Sequence, residues 1–229
     1  MNNTKLSELS INTALGKFGK VMYRNGTAHI PDYRYNVMLW TNNSWHCDCL
    51  GFVHCMVNGF SGDKNKLGGG AVMDAFVLNS DEYTTLTRYC KDQSTNFKKI
   101  VKGEFLYMSG HVGIYTGDIQ PFNDGRIFNT AECTLAFGGG AMLTYVDTNG
   151  KRFNHKDGTQ SGKWEKHAKF NFISYETQKE LTPVQILDIT KDVVNGKYGN
   201  NPKRKETLVN KYGNTIYRKI QDLINLLYS

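Results

Sequence analysis

Three of the five cysteines fall within nine residues, and one of them, Cys49, opens an apolar segment that predicts a buried helix ending before Asn58. A thiol in the first helical turn meets unpaired backbone N–H groups and the positive end of the helix dipole, and both favour the thiolate. The same N–H groups can bind the oxyanion of a tetrahedral intermediate. The segment therefore predicts a nucleophile at Cys49. Candidate oxyanion or substrate residues are Asp48, Trp45 and, further along the chain, Asn129.

A histidine 62 residues further on opens an alternating segment that predicts a β-strand. A period of two residues places His111 and Val112 on opposite faces of that strand. The next predicted strand carries Asn129 and Glu132, and either side chain can accept a hydrogen bond from the imidazole. A thiol, a base and a group that orients the base are what nucleophilic acyl transfer requires.

These segments resemble the motifs of the NlpC-type, papain-like peptidoglycan cysteine peptidases. Residues 48–52 match the family's Asp-Cys-Ser-Gly-Phe, with Leu50 in place of serine, and residues 110–115 match Gly-His-Val-Gly-Ile-Tyr. The similarity is greatest to phage and clostridial-type endolysins, in which Glu-X-Thr and a glycine run follow, here residues 132–134 and 138–140.

The resemblance implies a catalytic triad of Cys49, His111 and Glu132 that needs no metal or organic cofactor. Many relatives use another residue third, so Asn129 stays open as the alternative to Glu132. Relatives include stem-peptide and cross-bridge endopeptidases as well as N-acetylmuramoyl-L-alanine amidases. The bond that is cleaved therefore also stays open.

A zinc site is the competing interpretation of the cysteine-rich segment. The spacing lacks a CxxC knuckle and a second ligand pair, which argues against zinc. The odd cysteine count and the close spacing also argue against a disulfide framework and favour reduced thiols. The candidate zinc ligands are His46, Cys47, Cys49, His54 and Cys55.

Helices followed by strands predict an α+β fold, with N-terminal helices packed on a small antiparallel sheet. The stretch 147–163 is polar and glycine-rich, and no strand is predicted in it. The predicted helices of this part are 5–20, 49–57 and 80–92, and the predicted strands are 104–107, 111–116, 126–132, 141–146 and 170–175.

A capping threonine followed by proline, Thr182-Pro183, marks the start of a second module. Three helical blocks are expected in it, separated by the glycine-containing segments GKYGNN and KYGN. The predicted organisation is a papain-like catalytic domain at 1–175, a linker at 176–181 and a three-helix module at 182–229. The three blocks are 184–194, 203–211 and 215–227.

The second module resembles the Cpl-seven type of cell-wall-binding repeat, which implies binding of peptidoglycan muropeptides. Its tyrosines are able to stack on sugar rings and its basic side chains to pair with stem-peptide carboxylates, although the tyrosines equally suit a small core. A DNA-binding helix-turn-helix is the alternative, but it leaves the Cys–His–Glu pattern unexplained. The candidate wall-binding residues are Tyr198, Asn200, Arg204 and Tyr212.

The formal charge of +7, of which residues 182–229 carry +4 (8 Lys and Arg less 4 Asp and Glu), favours an anionic partner. We expect that partner to be bacterial peptidoglycan of the Gram-positive type, with no nucleic acid and no membrane insertion. No secretory signal is recognised, so an endolysin is expected in the host cytoplasm until a holin opens the membrane. A non-catalytic or virion-associated wall-binding phage protein is the alternative function. Host species and oligomeric state are not encoded in any recognisable pattern.

Overall fold

The chain forms two compact units, Met1–Glu176 and Thr177–Ser229. Each unit has a hydrophobic core of its own. A computed structural model supplies the coordinates, and the residues it describes are 1–24, 37–72, 81–175 and 181–228.

Over its described residues, the first unit is an α+β structure with three α-helices and two sheets, and the second unit contains helices. The α-helices are α1 (Asn3–Ala14), α2 (Cys49–Val57), α3 (Glu82–Tyr89), α4 (Pro183–Val194) and α5 (Lys203–Tyr228). The strands are β1 (Val21–Tyr23), β2 (Leu39–Thr41), β3 (Ser44–Cys47), β4 (Cys90–Ser94), β5 (Phe105–Met108), β6 (His111–Ile119), β7 (Phe128–Thr134), β8 (Gly140–Val146), β9 (Lys151–Phe153), β10 (Gln160–Lys163) and β11 (Lys166–Phe170). Single 3₁₀ turns occur at Leu67–Gly70, Phe97–Lys99 and Ala136–Gly138.

The main sheet has eight strands in the order β10-β9-β8-β7-β6-β5-β11-β4, and all neighbouring strands are antiparallel. It is therefore larger than the small sheet that the sequence predicts. The four strands predicted from residue 104 to residue 146 are confirmed as β5 to β8, with boundaries that differ by up to three residues.

Helices α1 and α2 pack on the central strands β6 and β7, as predicted for the N-terminal helices. The two faces of β6 separate as its alternation predicts, because Val112 and Ile114 join the core beneath the helices. Tyr115 on the other face packs against a second cluster that contains Trp164. Ser7 of α1 donates a hydrogen bond to the Thr116 carbonyl (2.9 Å), which fixes α1 on β6.

A second, three-stranded sheet in the order β1-β3-β2 leads directly into α2. Strands β2 and β3 form a hairpin whose two turn residues, Asn42 and Asn43, have φ of 49° and 58°. Asparagine is one of the few residues that tolerates this left-handed conformation, which suits a two-residue hairpin. The hairpin therefore positions the end of β3, and with it the start of α2, next to the main sheet.

Several predicted element boundaries are wrong. The first helix ends at Ala14 rather than at residue 20, because the chain turns at Gly16 with φ of 75°. Strand β4 occupies residues 90–92 of the predicted helix 80–92, and Ser80 lies outside the described residues. Strands β9 and β10 lie within the stretch 147–163, in which no strand is predicted. The last strand is β11, which precedes the predicted 170–175.

The second unit has two helices over its described residues, and the prediction of three is wrong. Thr182 caps α4 in a reciprocal capping box with Gln185, and Pro183 is at the first helical position, as the sequence predicts. The predicted break at KYGN is instead helical, and α5 runs through it for 26 residues. Glycine lowers helix stability by only about 1 kcal/mol, so an amphipathic helix packed on a partner can continue through it.

None of the described helices is both long and apolar enough to cross a membrane.

Candidate active site

Cys49 is the first residue of α2, and its side chain is nearly buried, with 4% exposed. Asp48 caps the helix by accepting a hydrogen bond from the Gly51 N–H (2.8 Å). Residue 51 has little room for a side chain, since a Cβ there would lie 3.0 Å from the Val37 carbonyl. Asp48 and Gly51 of the motif are thus explained by local geometry.

Helix α2 packs on β6, and the Val112 backbone N–H near the start of β6 favours the thiolate of Cys49. His111, the first residue of β6, immediately precedes Val112. The hydrogen bonds of the described residues do not include one between the thiol and the imidazole. Catalytic hydrogen bonds often shorten only when substrate binds.

Burial, followed by the Asp48 carboxylate, raises the pKa of Cys49 from 9.0 to about 12, against the lowering effect of the Val112 N–H. The sequence predicts the opposite direction, because the helix dipole favours a thiolate. The expectation is wrong for the resting site, since desolvation in the helix–sheet core outweighs the dipole. Cys49 is therefore a protonated thiol at neutral pH, and it needs a base to become a nucleophile.

His111 is held by Glu132, which lies on the neighbouring strand β7 and is fully buried. The two side chains make a short, direct hydrogen bond from His111 Nε2 to Glu132 Oε2. An ionised carboxylate can only accept, so Nε2 carries the proton of this hydrogen bond and Nδ1 is the ring nitrogen left for proton transfer. Glu132, rather than Asn129, is thus the residue that orients His111.

Arg152 of β9 and Thr144 of β8 complete the surroundings of Glu132. Arg152 Nε lies 2.9 and 3.0 Å from the two carboxylate oxygens, and Nη2 lies 2.7 Å from Oε2. The Thr144 hydroxyl donates to Oε1. Burial opposes ionisation of Glu132, but the hydrogen bond and charge of His111 and the charge of Arg152 lower its pKa from 4.5 to about 2.

The indole of Trp164 stacks on the imidazole of His111, with ring centroids 5.4 Å apart and planes inclined by 21°. Gly113 makes this packing possible, because a Cβ there would lie 3.2 Å from the Trp164 ring and 3.3 Å from the Ala131 carbonyl. The histidine is therefore fixed by a hydrogen bond at one edge and by an aromatic ring on one face.

Tyr23 at the end of β1 is a half-buried neighbour of Cys49. Burial, and after it negative charge on Cys49 and on Asp48, raises the pKa of Tyr23 to about 12.

Two of the secondary candidates have structural roles instead. Trp45 is fully buried, and its indole donates to the Phe18 carbonyl (3.1 Å), so it supports the core and offers no face to a substrate. Asn129 is held by β8, because it accepts from the Val146 N–H (2.7 Å) and donates to the Val146 carbonyl (3.0 Å). Neither residue is positioned for an oxyanion.

Four neighbours of the site are not indicated by any sequence pattern. They are Arg152, Thr144, Trp164 and Tyr23. Arg152 lies in the polar, glycine-rich stretch 147–163, and Trp164 directly follows it. The pairing of β9 with β8 brings Arg152 to Glu132. Conserved spacing between Glu132 and an arginine is the kind of signal that would identify such a partner.

The five candidate zinc ligands make separate contacts. His46 pairs with Ser44 (3.0 Å), and His54 with Thr85 (3.3 Å). Cys55 accepts from the Met38 N–H (3.2 Å), and the Cys133 thiol donates to the Cys47 carbonyl (3.4 Å). No cluster of three or more potential metal ligands occurs among the residues that the structure describes. All five cysteines are unpaired thiols, as predicted.

The wall-binding candidates of the second unit lie around the joint between α4 and α5. Tyr198 and Tyr212 are half-buried against the small core, with their hydroxyls 3.2 Å apart. Asn200 is exposed, and Arg204 is partly exposed although its Nε is buried. The tyrosines therefore contribute to the core and also present an edge to solvent.

No protein-family profile matches this chain, and no curated protein or solved structure matches it. The chemistry of the site therefore rests on its geometry and on the motif resemblance.

Proposed function

We propose that the chain is a cysteine peptidase or amidase that hydrolyses an amide bond of bacterial peptidoglycan, in the manner of a phage endolysin. The observation that carries the proposal is the placement of the Cys49 thiol at a helix start, beside the strand on which buried Glu132 orients His111. The helix-on-antiparallel-sheet arrangement agrees with a papain-like domain. The motif resemblance supplies the substrate class.

In the proposed reaction the Cys49 sulfur attacks the amide carbonyl carbon while its proton moves to His111 Nδ1. The backbone N–H groups at the start of α2 hold the oxyanion, those of Cys49 and Leu50 being candidates because Gly51 N–H is used by Asp48. His111 then gives the proton to the leaving amine as the C–N bond breaks. Water, deprotonated by His111, hydrolyses the thioester and restores the thiol.

The second unit is proposed to hold the enzyme on the wall, with Tyr198, Tyr212 and Arg204 facing the ligand from the joint between α4 and α5. Net positive charge in this unit supports contact with an anionic polymer. An endolysin of this kind acts from the host cytoplasm after a holin opens the membrane.

Mass spectrometry of purified Gram-positive sacculi after digestion tests the proposal and identifies the bond. The parent chain should release fragments with one new amine and one new carboxyl terminus per cut. Cys49→Ala and His111→Ala should release none, while both should still sediment with sacculi. If the parent chain binds the wall but does not cleave it, the result would support the non-catalytic alternative and contradict the enzymatic proposal.

A further inference from the structure

The loop 135–139 joins β7 to β8 at the end of the main sheet where β6 begins. Ile114 of β6 pairs with Ala131 of β7. The same antiparallel register, continued for three residues to the ends of both strands, places Thr134 opposite His111. The loop therefore begins directly after the residue that lies beside the proposed base.

Both ends of this loop are anchored next to elements that carry the site. The Cys133 thiol, two residues before the loop, donates to the Cys47 carbonyl (3.4 Å), and Cys47 is two residues before Cys49. At the other end of the loop Gly140 packs closely on β1, because a Cβ there would lie 2.3 Å from the Val21 carbonyl. The loop is therefore held at the end of the sheet where the start of α2 also lies.

The backbone of the loop adopts a conformation that costs free energy. Phe137 has φ of 59° and ψ of 21°, which is the left-handed region that a bulky side chain rarely enters. The three glycines at 138–140 follow with φ between 78° and 115°. Backbone strain of this kind persists only where the surrounding structure maintains it, and it is concentrated at catalytic and ligand-binding segments.

The side chain of Phe137 supplies the contact that maintains the loop. Its ring lies over the guanidinium of Arg152, 5.0 Å from the ring centroid. Arg152 in turn pairs with Glu132 and donates to the hydroxyl of Thr134, the residue before the loop (3.0 Å). The cation–π contact offsets part of the strain, so the loop is fixed through the same arginine that contacts Glu132.

The loop presents an apolar surface to solvent beside the site. Leu135 is 69% exposed, and residues 135–140 carry no charged or hydrogen-bonding side chain. A single exposed leucine needs no explanation, but this one is held in place by a strained segment next to the reactive residues. Such a surface favours an apolar group over a carboxylate or an ammonium ion. The apolar groups of a stem peptide include the methyl groups of its alanines.

We propose that the loop 135–139 is one wall of the substrate-binding groove. Leu135 contacts an apolar part of the stem peptide close to the bond that is cleaved. Phe137 is a positioning residue, which holds Leu135 in place through its contact with Arg152. This inference rests on the proposed function and deepens it, because the loop recognises the peptide part of the substrate rather than its sugars.

Protection of the Cys49 thiol against alkylation measures this contact without turnover. The full chain is treated with iodoacetamide at mildly alkaline pH in the presence of a sugar-free stem peptide, and mass spectrometry of digests follows Cys49 alone. Leu135→Ser should raise the peptide concentration that gives half protection by about tenfold, because it removes the apolar contact. Leu135→Met keeps an apolar side chain of similar volume and should stay within about twofold of the parent chain.

Further variants separate substrate contact from an effect on the fold. Leu226→Ser removes a leucine of similar exposure, 75%, from the second unit, and as the matched control it should leave protection unchanged. Phe137→Asn tolerates the left-handed backbone but lacks the ring, so it should weaken protection as Leu135→Ser does. Phe137→Tyr keeps the ring and should behave as the parent chain. With a soluble muropeptide as substrate, Leu135→Ser should raise KM and leave kcat nearly unchanged.

Unchanged protection in Leu135→Ser, or no protection of the parent chain by the stem peptide, would overturn the inference. Slower alkylation of Leu135→Ser without peptide would also overturn it, because the side chain would then act on the thiol itself. Should Leu135→Ser fail to fold, Leu135→Ala takes its place. If the peptide protects the parent chain but sacculi stay uncut, only the proposed hydrolysis is overturned. If the parent chain cuts sacculi and Leu135→Ser is unaltered, only the role of the loop is overturned.

Discussion

Asp48 has two opposing effects on the Cys49 thiol beside it. Its carboxylate caps α2 and so fixes the position of Cys49, yet its negative charge disfavours the thiolate. The cap needs only a side-chain oxygen, whereas the effect on the thiol needs the charge. The two effects can therefore be separated by an isosteric substitution.

We expect Asp48→Asn to lower the pKa of Cys49 and to speed its alkylation by iodoacetamide between pH 7 and pH 8. Asparagine caps helices as well as aspartate does, so stability should be little changed. Alkylation rates measured against pH check the prediction, with Glu82→Gln as a weaker comparison since Glu82 contributes less. An unchanged or slower rate in folded Asp48→Asn would contradict it.

Glu132 should also make the stability of the first unit depend on acidity. Its folded pKa of about 2 lies below its ordinary 4.5, so the stabilisation is complete above pH 4.5 and is lost as the pH falls towards 2. Glu132→Gln should cost about 3–5 kcal/mol at pH 7, since it leaves buried Arg152 without its partner.

Urea unfolding followed by tryptophan fluorescence at pH 7, 4 and 3 checks this dependence. The difference in unfolding free energy between parent and Glu132→Gln should shrink as the pH falls through that window. A difference that is constant with pH would show that Glu132 is not ionised in the folded protein.

At the scale of elements, the continuity of α5 through Gly213 is the feature most open to test. In a continuous helix Gly213→Ala should stabilise the second unit by about 0.5–1 kcal/mol, because alanine loses less conformational entropy on folding. In a three-helix unit with a turn at this glycine it should destabilise instead.

Hydrogen exchange of the amides on either side of Gly213 measures the effect in the full chain. Gly196→Ala is the control in the same unit, because Gly196 has φ of 79° and open space around it. Gly196→Ala should therefore lower the stability of the second unit through backbone strain alone. Faster exchange in Gly213→Ala would favour the three-helix arrangement.

The sequence predicts the parts of the site whose cause is local. An apolar run behind Asp48 defines α2, and alternation behind His111 defines β6, so the two reactive side chains were placed correctly on their elements. Glu132 could be predicted as the partner of His111, because consecutive strands usually pair. The α+β class was predictable for the same reason.

The remaining parts depend on pairings between distant residues, which no local pattern encodes. Strand β9 is three residues long and lies in a polar, glycine-rich stretch, so its pairing with β8 and the arrival of Arg152 at Glu132 could not be read. Burial of Cys49 also depends on distant residues, and it raises the pKa of the thiol where the sequence predicts that it is lowered. Tertiary packing likewise overrode the local signal for a helix end at Gly213.

For the whole molecule, the excess of positive charge should make wall attachment sensitive to salt. Screening weakens contacts between exposed charges, and the Debye length falls from about 10 Å at 0.1 M to about 3 Å at 1 M ionic strength. Sedimentation of inactive Cys49→Ala with sacculi should therefore decline as sodium chloride rises.

Cleavage of a small soluble muropeptide by the parent chain should change far less over the same salt range. Sacculi from which the anionic polymers have been extracted are the control, and their weaker binding should also be less sensitive to salt. Salt-independent sedimentation with intact sacculi would indicate attachment through uncharged contacts, such as stacking on tyrosine.

The pairing of Val146 with Arg152 sets which face of the sheet the arginine occupies. A slip of β9 by one residue would turn Arg152 to the opposite face and bring Lys151 or Phe153 in its place. Glu132 would then be a buried anion without its cation, which is costly enough to disfavour the slipped state. The ion pair thus favours the observed strand register, and a chain with the slipped pairing would lack the contacts among Arg152, Glu132 and His111.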